Sequence, residues 1–240
     1  MLIYFLKVSF IGISLLIGTG VLAIIFICRG KSFNNGHLFS LFLHRLALLV
    51  GIDPIYIGNK PSDDKPCVYL LNHQSMIDIL VFSLVWPKNG CPVMKSSIKY
   101  YGLFGLMASQ CKAVFLDRRN SRNSVEMMKN AGKEIIKENC SIVLFPEGTR
   151  GDGKTILPLK KGAFHIAIES QFPIQPIVAE SFLSFLNHSR FFFKSYKPKV
   201  YYLPLIETKG KTVDDIDDLI HQTYESMNSA FLMSPANISE

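Results

Sequence analysis

The chain has 240 residues, 48% of them hydrophobic and 19% charged, a composition that excludes a disordered chain and allows one large domain or two small ones with a sizeable core. Lys and Arg outnumber Asp and Glu by 26 to 19, and the whole +7 excess falls between residues 95 and 161, where thirteen basic side chains accompany six acidic ones. Such a balance points to phosphates, nucleic acid or an anionic membrane as partners and says nothing of fold.

The first element in chain order is apolar. Residues 8–27 carry no charge, and as a helix they measure about 30 Å at ~1.5 Å per residue, the thickness of a bilayer core. Lys7 precedes this run and Arg29 and Lys31 follow it, a small bias towards a cytoplasmic C-terminal side. Val21-Leu22-Ala23 leads into further apolar residues instead of a cleavage site, so a retained anchor is expected. Residues 38–50 are rich in Leu and Phe but include His44 and Arg45, as suits an interfacial helix more than a second span. Gly12, Gly18 and Gly20 allow the two helices to approach closely.

After Gly51 the pattern changes to short apolar runs that end in polar, Gly or Pro residues, most followed by an amphipathic stretch. This is α/β grammar. Strands are expected at 67–71, 111–116, 141–145, 174–179 and 199–203, and helices at 76–84, 124–138, 163–169 and 213–231. The last helix has Thr212 as N-cap and Asp214 and Asp215 in its first turn, where the dipole favours them. Five cysteines, an odd set without C-x-x-C or zinc-ligand spacing, read as reduced thiols.

Three strand ends carry chemistry. The first is Asn72-His73-Gln74-Ser75-Met76-Ile77-Asp78, at the kind of position where α/β folds keep their sites. His73 suits a general base and Asp78 the carboxylate that fixes its tautomer. Ser75-x-x-Asp78 also matches a capping box, in which case the pair only shapes a helix start. The second, Phe145-Pro146-Glu147-Gly148-Thr149-Arg150, supplies a close backbone approach at Gly148, a hydroxyl at Thr149 and a planar fork at Arg150 for a phosphate or carboxylate. Glu147 either orients a substrate hydroxyl or holds Arg150, and a surface turn with a Glu–Arg pair is the structural alternative. The third, Phe115-Leu116-Asp117-Arg118, repeats the plan, with Lys95 in the same basic interval. Phe172-Pro173-Ile174-Gln175-Pro176-Ile177-Val178 reads as a structural wall. Neither G-x-S-x-G nor H-E-x-x-H occurs. A His–Asp pair lacking an enzyme nucleophile implies a substrate hydroxyl deprotonated for direct attack.

Taken together, these segments resemble the glycerolipid acyltransferase family, in particular the members that acylate lysophosphatidic acid. The His73 segment is similar to its N-H-x-x-x-x-D motif, the Arg118 segment to its second, the Glu147 segment to its third and the Pro173 segment to its fourth, in family order over about residues 51–205. The resemblance implies an α/β fold with a mixed sheet flanked by helices, membrane-anchoring helices over residues 1–50 and a catalytic domain over 51–240. It implies that His73, partnered by Asp78, activates the 2-hydroxyl of a 1-acyl-glycerol 3-phosphate for attack on an acyl thioester, giving phosphatidic acid for phospholipid biosynthesis. Arg118, Glu147, Gly148, Thr149 and Arg150 would bind the glycerol phosphate, with help from Lys95. Neither metal nor prosthetic group is expected; acyl-CoA or acyl-carrier protein is the co-substrate. Gln175 departs from the small or apolar residue common at its place. A bacterial inner membrane with the site on the cytoplasmic side is the expected location, the endoplasmic reticulum the alternative. Competing readings are another acceptor, glycerol 3-phosphate or another lysophospholipid, and a non-catalytic protein that holds anionic lipids. Nucleic-acid binding is disfavoured, because the basic residues match no recognition module.

Overall fold

The computed structural model describes residues 1–63, 65–116 and 121–234. Helices α1 (Leu2–Arg29) and α2 (Phe33–Leu49) come first, followed by β1 (Ile55–Ile57), β2 (Val68–Leu71), α3 (Asp78–Val81), β3 (Gly90–Lys95), α4 (Gly102–Gln110) and β4 (Val114–Leu116). The second half contains α5 (Ser121–Lys137), β5 (Ser141–Leu144), α6 (Gly162–Ser170), β6 (Ile174–Ala179), β7 (Leu186–Asn187), β8 (Phe192–Phe193), β9 (Lys199–Tyr202) and α7 (Ile216–Leu232).

Seven strands form one sheet in the order β1-β9-β6-β2-β5-β3-β4. The five from β6 to β4 run parallel, β9 is antiparallel to β6, and β1 is parallel to β9. The sheet is therefore mixed, with helices on both faces, and β2 lies at its centre. Alternation along β2 sends Tyr69 and Leu71 into a core with α2 and α3, while Val68 and Leu70 enter a second core with α5, α6 and α7.

Local chemistry explains the element ends. Ser32 caps α2 by accepting from the Asn34 amide at 3.2 Å, so the helix opens five residues before the expected 38. Thr212 accepts from the Asp214 amide while Asp215 accepts from the Thr212 amide, the capping box that starts the turn into α7. The expected strand 111–116 shortens to Val114–Leu116, because α4 runs to Gln110 and the Cys111 amide closes it on Met107 and Ala108. The expected helix 76–84 contracts to α3 plus a 3-10 turn at Ser83–Val85. None of the five cysteines is in a disulfide, and four of them are buried.

Helix α1 is long and apolar enough to cross a membrane by length and composition. Its buried residues are Tyr4, Ile11, Thr19, Gly20, Ala23 and Phe26. Ala23 and Phe26 pack with Met107 and Cys111 around α4, while Tyr4 and Ile11 join the core beneath β2. Its opposite face exposes Phe5, Phe10, Ile13, Leu16, Ile17, Val21 and Ile24.

Candidate active site

Because β6, β2, β5, β3 and β4 are parallel, their carboxyl ends share one edge of the sheet, and this edge gathers the charged motifs. His73 follows β2. Its Nδ1 lies 2.5 Å from Asp78 Oδ2, and the same oxygen accepts from the amides of Gln74 at 2.9 Å and Ser75 at 3.1 Å. One carboxylate thus makes the His73 contact that the catalytic reading expects and one half of the expected capping box: folding back from the first residue of α3, Asp78 accepts from the Ser75 amide and meets the imidazole, while Ile77, not Ser75, stands at the N-cap of α3. An ionised carboxylate only accepts, so beside an ionised Asp78 the proton sits on Nδ1 and Nε2 keeps its lone pair. Asp78 is 1% exposed. Burial raises its carboxyl above the ordinary range, and the His73 partner and the two amides pull it back. Ser75 Oγ accepts from the Ile77 amide at 3.4 Å, a turn contact.

The Phe145–Arg150 loop, leaving the neighbouring β5, is bound to the His73 backbone. Glu147 Oε1 accepts from the His73 amide at 2.6 Å, Oε2 accepts from the Leu157 amide at 2.8 Å, and the Gly151 amide donates to His73 O at 2.8 Å. Glu147 is 2% exposed and its carboxyl is raised by burial. It makes no ion pair with Arg150 among the described residues; both its oxygens accept from backbone amides, which removes the alternative in which it holds the guanidinium. Gly148 has φ 74, a left-handed conformation that favours glycine, and after it Thr149 and Arg150 are exposed. The Phe145 ring stacks on the His73 ring with centroids 4.1 Å apart and planes at 22°.

Strand β6 supplies the other wall. Asn72 donates to Ala179 O at 3.0 Å and accepts from the Ala179 amide at 2.8 Å. Gln74 donates to the carbonyls of Ala179 and Glu180 and accepts from the Phe182 amide. The segment read as a structural wall is one, every residue of β6 being buried, and its end also orients the His73 turn. Gln175 donates to the carbonyls of Pro176 and Leu203, fastening the antiparallel β6–β9 junction. Asn72, Gln74 and Phe145 stood inside the motifs, but their roles rest on partners more than 70 residues away in sequence, which no local pattern encodes.

Lys95 is exposed at the end of β3, two strands from β2 and so about 10 Å across the sheet. Leu116, opposite Lys95 in register, precedes Arg118, which lies outside the described residues. A cleft of about 370 Å³ at the far edge of the sheet is lined by Lys31, Phe33, Lys99, Lys112 and Glu138 among others, and by none of the site residues among the described ones.

The acyltransferase family model matches residues 54–180, over half of the chain. Human 1-acyl-sn-glycerol-3-phosphate acyltransferase beta is 31% identical over 208 residues, covering 85% of this chain and 73% of that protein. The human alpha protein is 32% identical over 230 residues, covering 95% and 81%. Among solved structures, the 1-acyl-sn-glycerophosphate (LPA) acyltransferase PlsC of Thermotoga maritima superposes with a TM-score of 0.69 at 18% identity, covering 98% of this chain and 97% of that one, a likeness of fold. The chain therefore belongs to the acyltransferase family, and its relatives put it among the enzymes named 1-acyl-sn-glycerol-3-phosphate acyltransferase.

Proposed function

We propose that the protein transfers an acyl group from an acyl thioester, acyl-CoA or acyl-carrier protein, to the 2-hydroxyl of lysophosphatidic acid, forming phosphatidic acid. The observation that carries this reading is the His73–Asp78 pair at 2.5 Å, set in a turn where Ser75 Oγ is used as an acceptor. With its proton held on Nδ1, His73 Nε2 accepts the hydroxyl proton as the hydroxyl oxygen bonds to the thioester carbonyl carbon. Asp78 stabilises the imidazolium. When the tetrahedral intermediate collapses the C–S bond breaks, and the imidazolium returns its proton to the thiolate, releasing a free thiol. Thr149 and Arg150, exposed beyond Gly148, support phosphate binding, with Lys95 adding a cation at the end of β3; Arg118 is assigned to the phosphate on the family resemblance of its motif. Glu147 acts as a positioning residue that holds the His73 backbone.

Its contacts at both ends, with His188 near Tyr4 and with Met107 near Phe26, support α1 lying along the domain with its outer face in one leaflet. Reduced thiols fit a site on the cytoplasmic side of a bacterial inner membrane or of the endoplasmic reticulum. Two units, helices over residues 1–50 and a catalytic domain over 51–240, remain the division we favour.

The test is thiol release from an acyl thioester with and without lysophosphatidic acid. The wild type releases thiol only with acceptor, and His73→Ala, folded by circular dichroism, releases none. Full activity in the variant refutes the mechanism. Preference for glycerol 3-phosphate in an acceptor panel replaces the acceptor and leaves the chemistry intact.

A further inference from the structure

Between β6 and β9 the chain makes an antiparallel hairpin, pairing Leu186 with Phe193 and Asn187 with Phe192. Leu186 and Phe193 face inward and are buried, whereas Arg190, Phe191 and Phe192 are exposed at the tip. Phe191 has φ 48, a backbone conformation unfavourable for a bulky side chain. The tip thus spends both backbone strain and apolar exposure on presenting two phenylalanines.

The hairpin is fastened to the first turns of α1. Tyr4 Oη is 2.7 Å from His188 Nδ1, the rings of Phe5 and Phe191 stack with centroids 5.3 Å apart at 29°, and Lys7 Nζ lies 4.9 Å from the centre of the Phe193 ring. Phe5 is 46% exposed and Phe191 44%, so the outer apolar face of α1 continues through this stack onto the tip. The charge there has one sign. No Asp or Glu occurs between Glu180 and Glu207, Lys197 is paired with Asp53, and Lys7, Arg190 and Lys194 form no ion pair among the described residues. Lys194 Nζ sits 5.7 Å from the Phe192 ring centre and 5.9 Å from that of Tyr196. Aromatic rings at the depth of a lipid-facing helix, ringed by unmatched cations, have the chemistry of a bilayer interface.

We infer that the β7–β8 hairpin is a second membrane contact that takes an anionic phospholipid surface. Phe191 and Phe192 enter the boundary between headgroups and acyl chains, and Arg190, Lys194 and Lys7 meet lipid phosphates. The inference rests on the membrane reading of α1 given above and adds an orientation to it. The hairpin follows Phe182, whose amide is held by Gln74, so docking its tip turns the carboxyl edge of the sheet towards the lipid that would hold acceptor and product.

The experiment uses the full chain with a tryptophan reporter at two places, Phe191→Trp on the hairpin and Leu16→Trp on the outer face of α1, each read against the parent's single Trp86. Vesicles contain brominated phosphatidylcholine alone or with 30% phosphatidylglycerol by design. With anionic vesicles both reporters are expected to shift to the blue and be quenched. Adding Arg190→Ala and Lys194→Ala is expected to weaken only the hairpin signal, by roughly 25-fold in the anionic lipid needed for half-quenching if each cation contributes about 5-fold, the ratio equivalent to ~1 kcal/mol. Leu16→Trp quenched with Phe191→Trp still water-exposed overturns the hairpin contact and leaves the anchor standing. Neither reporter quenched overturns both. Equal quenching on neutral vesicles, unmoved by the double alanine change, overturns the anionic requirement. Thiol release with detergent-dispersed substrates, measured on the same samples, reports the acyl-transfer reading separately.

Discussion

Glu147→Gln separates two roles for the third motif. A residue that binds glycerol phosphate should matter through acceptor affinity. One whose carboxylate oxygens accept from the His73 amide at 2.6 Å and the Leu157 amide at 2.8 Å, at 2% exposure, should matter through the position of His73. Glutamine fills the same space but turns one acceptor into a donor, so one of the two amides loses its partner. An orphaned buried amide costs about 1–3 kcal/mol, which for a chain of this size lowers Tm by roughly 2–12 °C. If the His73 turn relaxes by an ångström, turnover falls on the order of 100-fold. Steady-state assays with lysophosphatidic acid varied and thioester saturating, alongside a thermal melt, give all three quantities. The expected result is a lowered kcat and Tm with acceptor KM changed by less than about threefold, a limit set by the absence of lost binding energy. A tenfold rise in KM with kcat and Tm intact refutes the positioning role and returns Glu147 to the phosphate. The sign of the pH dependence is fixed as well. Burial raises the Glu147 carboxyl in the folded protein, so the stability gained from its protonated form is complete below the unfolded value of about 4.3 and is lost as pH rises through the folded value. The stability gap between wild type and variant should narrow along that rise, and a widening gap contradicts it.

Asp78→Asn, with its amide oxygen in the place of Oδ2, still accepts from the Gln74 and Ser75 amides and from His73 Nδ1 but carries no charge to stabilise an imidazolium. Turnover should fall about 10²–10⁴-fold with little change in Tm; intact turnover with lost stability would leave Asp78 as a cap alone. Asn72→Ala orphans the amide of Ala179, whose carbonyl keeps Gln74, a loss of about 1–3 kcal/mol to be read from a denaturant midpoint, and a change under 0.5 kcal/mol, roughly the noise of a surface substitution, contradicts the tie. Burial pushes the thiols of Cys67 to about 11 and of Cys91 and Cys111 to about 12, leaving thiolate fractions near pH 8 of about 10⁻³ to 10⁻⁴. Iodoacetamide on the folded protein should therefore modify exposed Cys28 alone, as read by mass spectrometry, and rapid labelling of Cys91 before unfolding contradicts that packing.

What could be read in the sequence depended on the range of the interaction that made it. The long apolar helix, the Thr212 cap and strands β2, β5, β6 and β9 follow from local periodicity and end chemistry. Strand β3 was hidden by Pro92, which argues against a central strand. The structure accommodates it by changing partners: Gly90–Pro92 pair with β5, and Val93–Lys95 pair with β4. Strand β1 has only three residues and is identified as a strand by its pairing with β9. Helix α4 was invisible for a different reason, since Gly102, Gly105 and Ser109 weaken its local propensity and its packing against α1 sustains it. In the site, the motif residues were legible as chemistry, and the His73–Asp78 contact was legible because the two lie five residues apart. The use of Glu147 as a tie was not, since its partner His73 lies 74 residues away and a carboxylate next to an arginine reads locally as an ion pair.

The grip of β6 on the His73 turn also bears on how the chain becomes active during synthesis. Asn72 waits for Ala179, 107 residues later, and His73 for Glu147, 74 residues later. Contacts of such separation form late, because the intervening loop must be closed before they repay it. At about 5–20 residues per second, translation from Arg29 to Ala179 takes roughly 8–30 s, and during that interval α1 is available to lipid while the His73 turn has no walls. Under the proposed function, the order of the elements makes membrane capture precede competence: a nascent chain would reach the surface that carries its substrate before it holds a base able to act on a thioester.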